Sequence, residues 1–260
     1  MRRITANATH LVATLAVTAA AVITAFAMPL PAHAVTINVF GDGKMIAGSG
    51  KEVNVTRNVG AFSVLRLDTS IDVRAHQGAA PGVVVHADDN IEPLVETVVE
   101  GDKLIVRLKK DTSFRTSHDV VVDVTFTSLS AVQQHGSGNL HIDTITAPRF
   151  ESSIAGSGDL KIDRAQVGQF ALSVAGSGDV LIAGSADEAR FGIAGSGDIN
   201  AKNFVAKKVA VSISGSGDAR VNATESLEAK VAGSGDVTYS GHPRDVSRRV
   251  SGSGSVDAAD

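Results

Sequence analysis

The 260-residue chain has no cysteine, no tryptophan and a single tyrosine. The missing cysteine excludes a disulfide framework, a thiolate metal site and an acylated lipoprotein anchor. A fold built here must therefore rest on its apolar core, which a chain of this length can supply. Aromatic residues are 4% of the chain, too few for a sugar-stacking platform. There is also no excess of basic charge. The net charge is −4, and it becomes −6 once residues 1–34, which hold Arg2 and Arg3 and no acid, are removed. That balance argues against a nucleic-acid partner, which needs a basic stripe. After Met28 no long uncharged apolar run occurs, so no membrane span is expected in the mature chain. His-Glu-x-x-His and Gly-x-Ser-x-Gly are both absent.

What the chain has in abundance is glycine, arranged in a period. Gly-Ser-Gly-Asn stands at Gly136–Asn139, and Gly-Ser-Gly-Asp begins at Gly156, Gly176, Gly195, Gly215 and Gly233. A last Gly-Ser-Gly-Ser begins at Gly252, and the steps are 20, 20, 19, 20, 18 and 19 residues. Such a period marks an array of equivalent structural units. Each tetrapeptide is preceded by alternation such as Phe170-x-Leu172-x-Val174 and followed by an apolar pair such as Leu160/Ile162 or Val180/Ile182. Period-two alternation is a half-buried strand.

A unit therefore reads as strand, Gly-Ser-Gly-Asp corner, strand and variable connection. The structural glycines are Gly136, Gly138, Gly156, Gly158, Gly176, Gly178, Gly195, Gly197, Gly215, Gly217, Gly233 and Gly235. They suit corners that need positive φ, with the Asp capping a nearby backbone N–H as in an Asx-turn. Stacked coils about 4.8 Å apart would bury the apolar residues in one column, which is a parallel β-helix.

The chain opens Met1-Arg2-Arg3, is apolar from Leu11 to Met28, and reaches Ala32-His33-Ala34 after Pro29 and Pro31. That pattern predicts a secretory signal peptide over residues 1–34, cleaved after Ala34, and a periplasmic, secreted or cell-surface protein. A lead-in over 35–52 follows, then the β-helix over 53–257 and a tail over 258–260. In the first half, Leu65 and Leu67 are expected to point inward. Glu100-Gly101-Asp102-Lys103 is expected to turn a hairpin, and Val120, Val122, Val124 and Phe126 to lie on one face of a strand with Asp119 and Asp123 on the other.

Several segments together resemble a known family. They are Gly48-Ser49-Gly50-Lys51, Asn58-Val59-Gly60-Ala61-Phe62, Asp72-Val73 with Gln77-Gly78, and Ala87-Asp88-Asp89-Asn90. Glu100-Gly101-x-Lys103-Leu104-x-Val106 and the iterated Gly-Ser-Gly-Asp complete the set. In this order they resemble the putative auto-transporter adhesin head domain, also called the head GIN domain, over Val53 to Asp257. The resemblance implies a right-handed, single-stranded β-helix in an exported bacterial protein, an adhesin by name, and no catalytic residues. No long segment of alternating strands follows the array, so no outer-membrane barrel is expected from these residues.

The functional expectation is an exported, non-enzymatic adhesin or envelope scaffold without a cofactor, with a cell-surface, polysaccharide or protein partner. Two alternatives compete. In the first, Asp159, Asp179, Asp198, Asp218 and Asp236 stack into a ladder that binds calcium. Adjacent carboxylates ~5 Å apart repel by about 0.8 kcal/mol in water, which an ion would relieve. Asn139 and Ser255 hold the same position without charge, which favours turn chemistry instead. In the second, acids on one outer face serve a carbohydrate-active enzyme. Asp119/Asp123 and Lys161/Asp163/Arg164 are its candidates. Residues four apart on a strand are ~13 Å apart, too far for a carboxylate pair. His76, His86, His118, His135, His141 and His242 are scattered and show no ligand spacing, and His135 and His141, which flank the first corner, are expected to be solvent-facing strand residues.

The calcium alternative has a direct check. With turn chemistry alone, the melting temperature is the same in chelator and in millimolar calcium. An ion held at a hundredfold its Kd would add about 2.7 kcal/mol of stability.

Overall fold

The structure is a computed structural model that describes residues 45–259. The signal-peptide expectation for residues 1–34, with its cleavage after Ala34, lies outside the described residues, as does the first part of the lead-in. Short strands make up the first half. They are β1 (Met45–Ala47), β2 (Glu52–Arg57), β3 (Val64–Thr69), β4 (Asp72–Gln77), β5 (Gly82–Asp88), β6 (Val95–Glu100), β7 (Lys103–Leu108), β8 (Ser113–Arg115) and β9 (Val121–Phe126). The array follows as β10 (Ala131–Gly136), β11 (Leu140–Gly156), β12 (Leu160–Gly176), β13 (Val180–Gly195), β14 (Ile199–Gly215), β15 (Ala219–Gly233), β16 (Val237–Ser240), β17 (Asp245–Gly252) and β18 (Val256–Ala258).

From β10 onward every pairing is parallel and joins one coil to the next. The register puts Gly136, Gly156, Gly176, Gly195, Gly215, Gly233 and Gly252 in a single line. The result is a β-solenoid of about 6 turns. The first half continues the stack through β3, parallel to both β10 and β7, and β4, parallel to both β9 and β11. It adds antiparallel pairs that the array lacks: β2 with β5, β5 with β9, and the β6–β7 hairpin. Gly101, at φ +63, turns that hairpin where the sequence placed it.

The alternation decides what is buried. Leu65, Leu67, Val122, Val124 and Phe126 point inward and are at most 1% exposed. In the array, Leu160/Ile162, Val180/Ile182, Phe170/Leu172/Val174 and Phe191/Ile193 all lie buried in one core. Phe150, Phe170, Phe191 and Phe204 form a contiguous aromatic stack, with ring centroids 5.0–6.4 Å apart between contacting pairs. The large side chain moves around the coil as the stack rises. Phe150 pairs with Phe170, but the next two positions in that line are Ala189 and Val209. Phe204, from another stretch of its coil in register with Gly184, meets Phe170 at 5.0 Å and fills space that Ala189 leaves.

The corner glycines are required by crowding. Gly156 has φ +143, and a Cβ there would stand 2.1 Å from the Gly136 carbonyl oxygen. A Cβ on Gly158 would stand 2.2 Å from that of Gly138. The coils touch backbone to backbone, and the carbonyl of Gly136 accepts from the N–H groups of Ser157 and Gly158 at 3.0 and 3.3 Å.

Phe170→Ala should lower the unfolding free energy by about 3–5 kcal/mol. Gly176→Ala should cost at least about 2 kcal/mol, through strained backbone and steric overlap with the neighbouring corner. Both are read from denaturant unfolding midpoints.

Candidate functional surface

Strand periodicity sends every second side chain outward, and parallel register lines these side chains up in columns. The Asp column runs along the corner. Asp179 Oδ1 accepts the Asp198 backbone N–H at 2.9 Å, and Asp159 Oδ1 accepts that of Asp179 at 2.9 Å. The same bond links Asp198 to Asp218, Asp218 to Asp236 and Asp236 to Ser255. At the other end Asn139 Oδ1 accepts from Asp159, and Asp72 Oδ1 accepts from Asn139. The sequence suggested an Asx-turn inside each corner. The structure instead shows each side chain tying its coil to the next, about one period away. Asp72 is a rung that lies outside the Gly-Ser-Gly repeat; the sequence singled it out only as part of the Asp72-Val73 segment, with no role as a corner. Asn139 makes the bond as an amide, so the link does not depend on charge. Next to this column, Ser137, Ser157, Ser177, Ser196, Ser216, Ser234 and Ser253 are all exposed.

The strands that lead into the corners form a flat face. Its outward columns are Ser153, Ser173, Gly192 and Ser212, and Ala155, Ala175, Ala194, Ser214 and Ala232. None of these side chains is larger than serine, although the first row runs on to Gln133 and Lys230 and a third outward row on the same strands carries Glu151, Arg190 and Glu228. The strands that leave the corners carry longer groups: His141, Lys161, Leu181, Asn200 and Arg220 border a shallow groove beside the Asp column.

The histidines are less solitary than the sequence suggested. His135 Nδ1 lies 2.9 Å from Asp68, His141 Nε2 2.6 Å from Asp163, and His86 Nε2 2.8 Å from Asp123. His135 and His141 do face outward, each half-exposed, but each is held by a carboxylate of another strand. Asp123 and Asp163, two of the outer-face acids, are thus each held by a histidine at hydrogen-bond distance, and Asp163 also pairs with Lys161 at 2.9 Å. Lys161 first, and then His141, holds the Asp163 carboxyl below its usual range.

A polar clasp in the first half joins two motifs that lie forty residues apart. Ser49 Oγ donates to Asp89 at 2.6 Å, Ser49 N–H to Asn90 at 2.9 Å, and Asn90 Nδ2 to the Ala47 carbonyl at 2.8 Å. Beneath them Asp88 is 1% exposed and accepts from Thr116 Oγ1 at 2.7 Å, with His118 Nδ1 at 2.8 Å. A Cβ on Gly48 would fall 2.0 Å from Asp88 Oδ2, so only glycine lets the chain pass. The hydrogen bonds from Thr116 and His118 hold the Asp88 carboxyl low, and the bond to Asp88 raises His118. Nothing in the sequence around Thr116 and His118 pointed to this role. Among the described residues, no group of three or more His, Asp or Glu side chains is arranged to hold a metal ion.

Two outcomes follow. Asp179→Asn should leave stability nearly unchanged, whereas Asp179→Leu should lose about 1 kcal/mol with the inter-coil bond, measured by thermal unfolding. The clasp should be strongest between about pH 4 and pH 6.5. Asp88 has a lowered pKa, so its contribution is lost as pH falls through the folded value. His118 has a raised pKa, so its contribution is full below about pH 6.5 and lost as pH rises through the folded value. The melting-temperature gap between the native chain and His118→Gln should therefore narrow from pH 6 to pH 8.

Comparison with known proteins agrees with this architecture. A crystal structure described as a putative adhesin from Bacteroides fragilis superimposes with a TM-score of 0.79 at 27% identity, covering 82% of this chain and 100% of that one. One described as a putative lipid binding protein from Parabacteroides distasonis gives 0.70 at 26% identity, covering 84% and 100%. A putative adhesin from Parabacteroides merdae gives 0.67 at 22% identity, covering 83% and 99%, and shares the fold. No curated protein matches the chain. The family model described as "Putative auto-transporter adhesin, head GIN domain" matches residues 61–243, and the chain belongs to that family.

Proposed function

We propose that this is an exported, non-enzymatic adhesin or envelope scaffold that binds through the outer surface of its coils. The observation that carries the proposal is the flat face of small side chains centred on Ser173 and Ala194, bordered by the serine and aspartate columns. A rigid, level surface repeated every ~4.8 Å suits an extended partner, a polysaccharide or a peptide, laid across several coils. Membership of an adhesin-named family supports the same reading. The lipid-binding description belongs to one neighbour. In this chain the column between the strands is filled by the Phe150, Phe170, Phe191 and Phe204 side chains, so an acyl chain would have to lie outside it.

The test is a bulky charge in the middle of the face. Ser173→Arg or Ala194→Glu should lower retention on isolated cell envelopes at least about tenfold while leaving the melting temperature unchanged. A matching charge at exposed Thr146, on another wall of the coil, should leave retention as it was. Equal retention by all three variants would remove the flat face from the proposal.

A further inference from the structure

Among the described residues, the two ends of the stack expose strand edges of opposite character. β17 pairs on one side with β15, and β6 on one side with β7. Among the described residues no strand lies on the far side of either. An unpaired edge strand is a template for another chain. Both edges also carry exposed valine. Val246 and Val250 on β17 are 37% and 45% exposed, and Val98 on β6 is 36% exposed. One coil earlier, the residues in register with Val246 and Val250 are Leu227 and Val231, which are only 2% and 3% exposed. The β17 valines therefore stand in core positions that lack a covering layer.

Charge distinguishes the ends. β17 carries Arg248 and Arg249 against Asp245 at its start. Arg248 folds over the Tyr239 ring, 5.1 Å from its centroid, while Arg249 stands outward in register with Lys230. β6 carries Glu96 and Glu100, Glu96 bonded to Arg107 and Glu100 opposite Lys103. Counted over the whole strand, β17 has two arginines against one aspartate and β6 two glutamates and no base, so the edges are net basic and net acidic. Two β17 edges meeting about a two-fold axis would set arginine against arginine.

We propose that the chain binds a second copy of itself head to tail, with β17 of one copy adding to the β6 edge of the next. β17 runs parallel to the coils, whereas β6 runs antiparallel to β7 and so against them, which makes the new pairing antiparallel. Arg249 meets the Glu96/Glu100 side, and Val246 and Val250 gain a covering strand. Each copy keeps one free edge of either kind. The contact is heterologous and does not close, so it extends into open filaments that prolong the solenoid.

The experiment is sedimentation velocity on the exported, processed chain across a wide concentration range at low and high salt. The expected result is a sedimentation coefficient that grows with concentration and shrinks with salt. Arg249→Glu and Glu100→Lys, both at exposed positions, should each weaken association at least about tenfold with unfolding temperatures retained. An equimolar mixture of the two variants should associate again, because each reversed end then meets its opposite. A chain that stays monomeric throughout, with its edges covered by its own residues, overturns the proposal. So does a mixture that does not recover. Association weakened by Arg249→Glu alone, with Glu100→Lys silent, would mean that β6 takes no part and would overturn it equally.

Discussion

Backbone meets backbone at each Gly-Ser-Gly corner, and the rest of the molecule depends on that contact. With a Cβ of Gly156 or Gly158 only 2.1–2.2 Å from the carbonyl oxygen one coil below, any side chain would force the coils apart. The glycines let the corners close to strand-to-strand distance. Once they close, every inward residue falls above its counterpart, and the Phe150–Phe170 stack and the aliphatic columns form as a consequence. The Asp side chains add a second link at the same height, each carboxylate or amide accepting the N–H of the next rung. A solenoid has only nearest-neighbour contacts, so its stability is a sum over such interfaces. A corner that fails is felt in both adjacent coils.

The charged groups act locally. His86, His135 and His141 each hold a carboxylate on a neighbouring strand, at partly exposed positions where single pairs contribute little. The Asp88 site is different. Its carboxyl is buried, and it is satisfied by the Thr116 hydroxyl and the His118 ring. Burial without those partners would be costly, so the clasp orders the segment that leads into the solenoid. The Ser49 and Asn90 bonds above it pin that segment across the β5 end.

The coil presents level faces and columns of like groups, and the outer-face acids Asp123 and Asp163 are held by histidine or lysine at hydrogen-bond distance. The same regularity that builds the faces leaves strand edges at the two ends, where β6 and β17 show valine and opposite charge. Binding across the faces and growth along the axis would use separate parts of the molecule.

Much of this architecture was legible in the chain itself. The Gly-Ser-Gly period and the two-residue alternation determined parallel coils, the glycine corners, the inward Leu65, Leu67, Phe150 and Phe170, and the β6–β7 turn at Gly101, because backbone sterics and side-chain alternation are local properties. The tertiary structure decided what depends on residues far apart in sequence. It turned the aspartates into links between coils, since a side chain at a corner lies nearer to the next coil's N–H than its own turn suggests. It brought Thr116 and His118 to Asp88, moved the aromatic stack from Phe191 to Phe204, and set Arg249 and Glu100 on opposite ends. None of these has a fixed spacing along the chain, and packing alone brings the partners within reach.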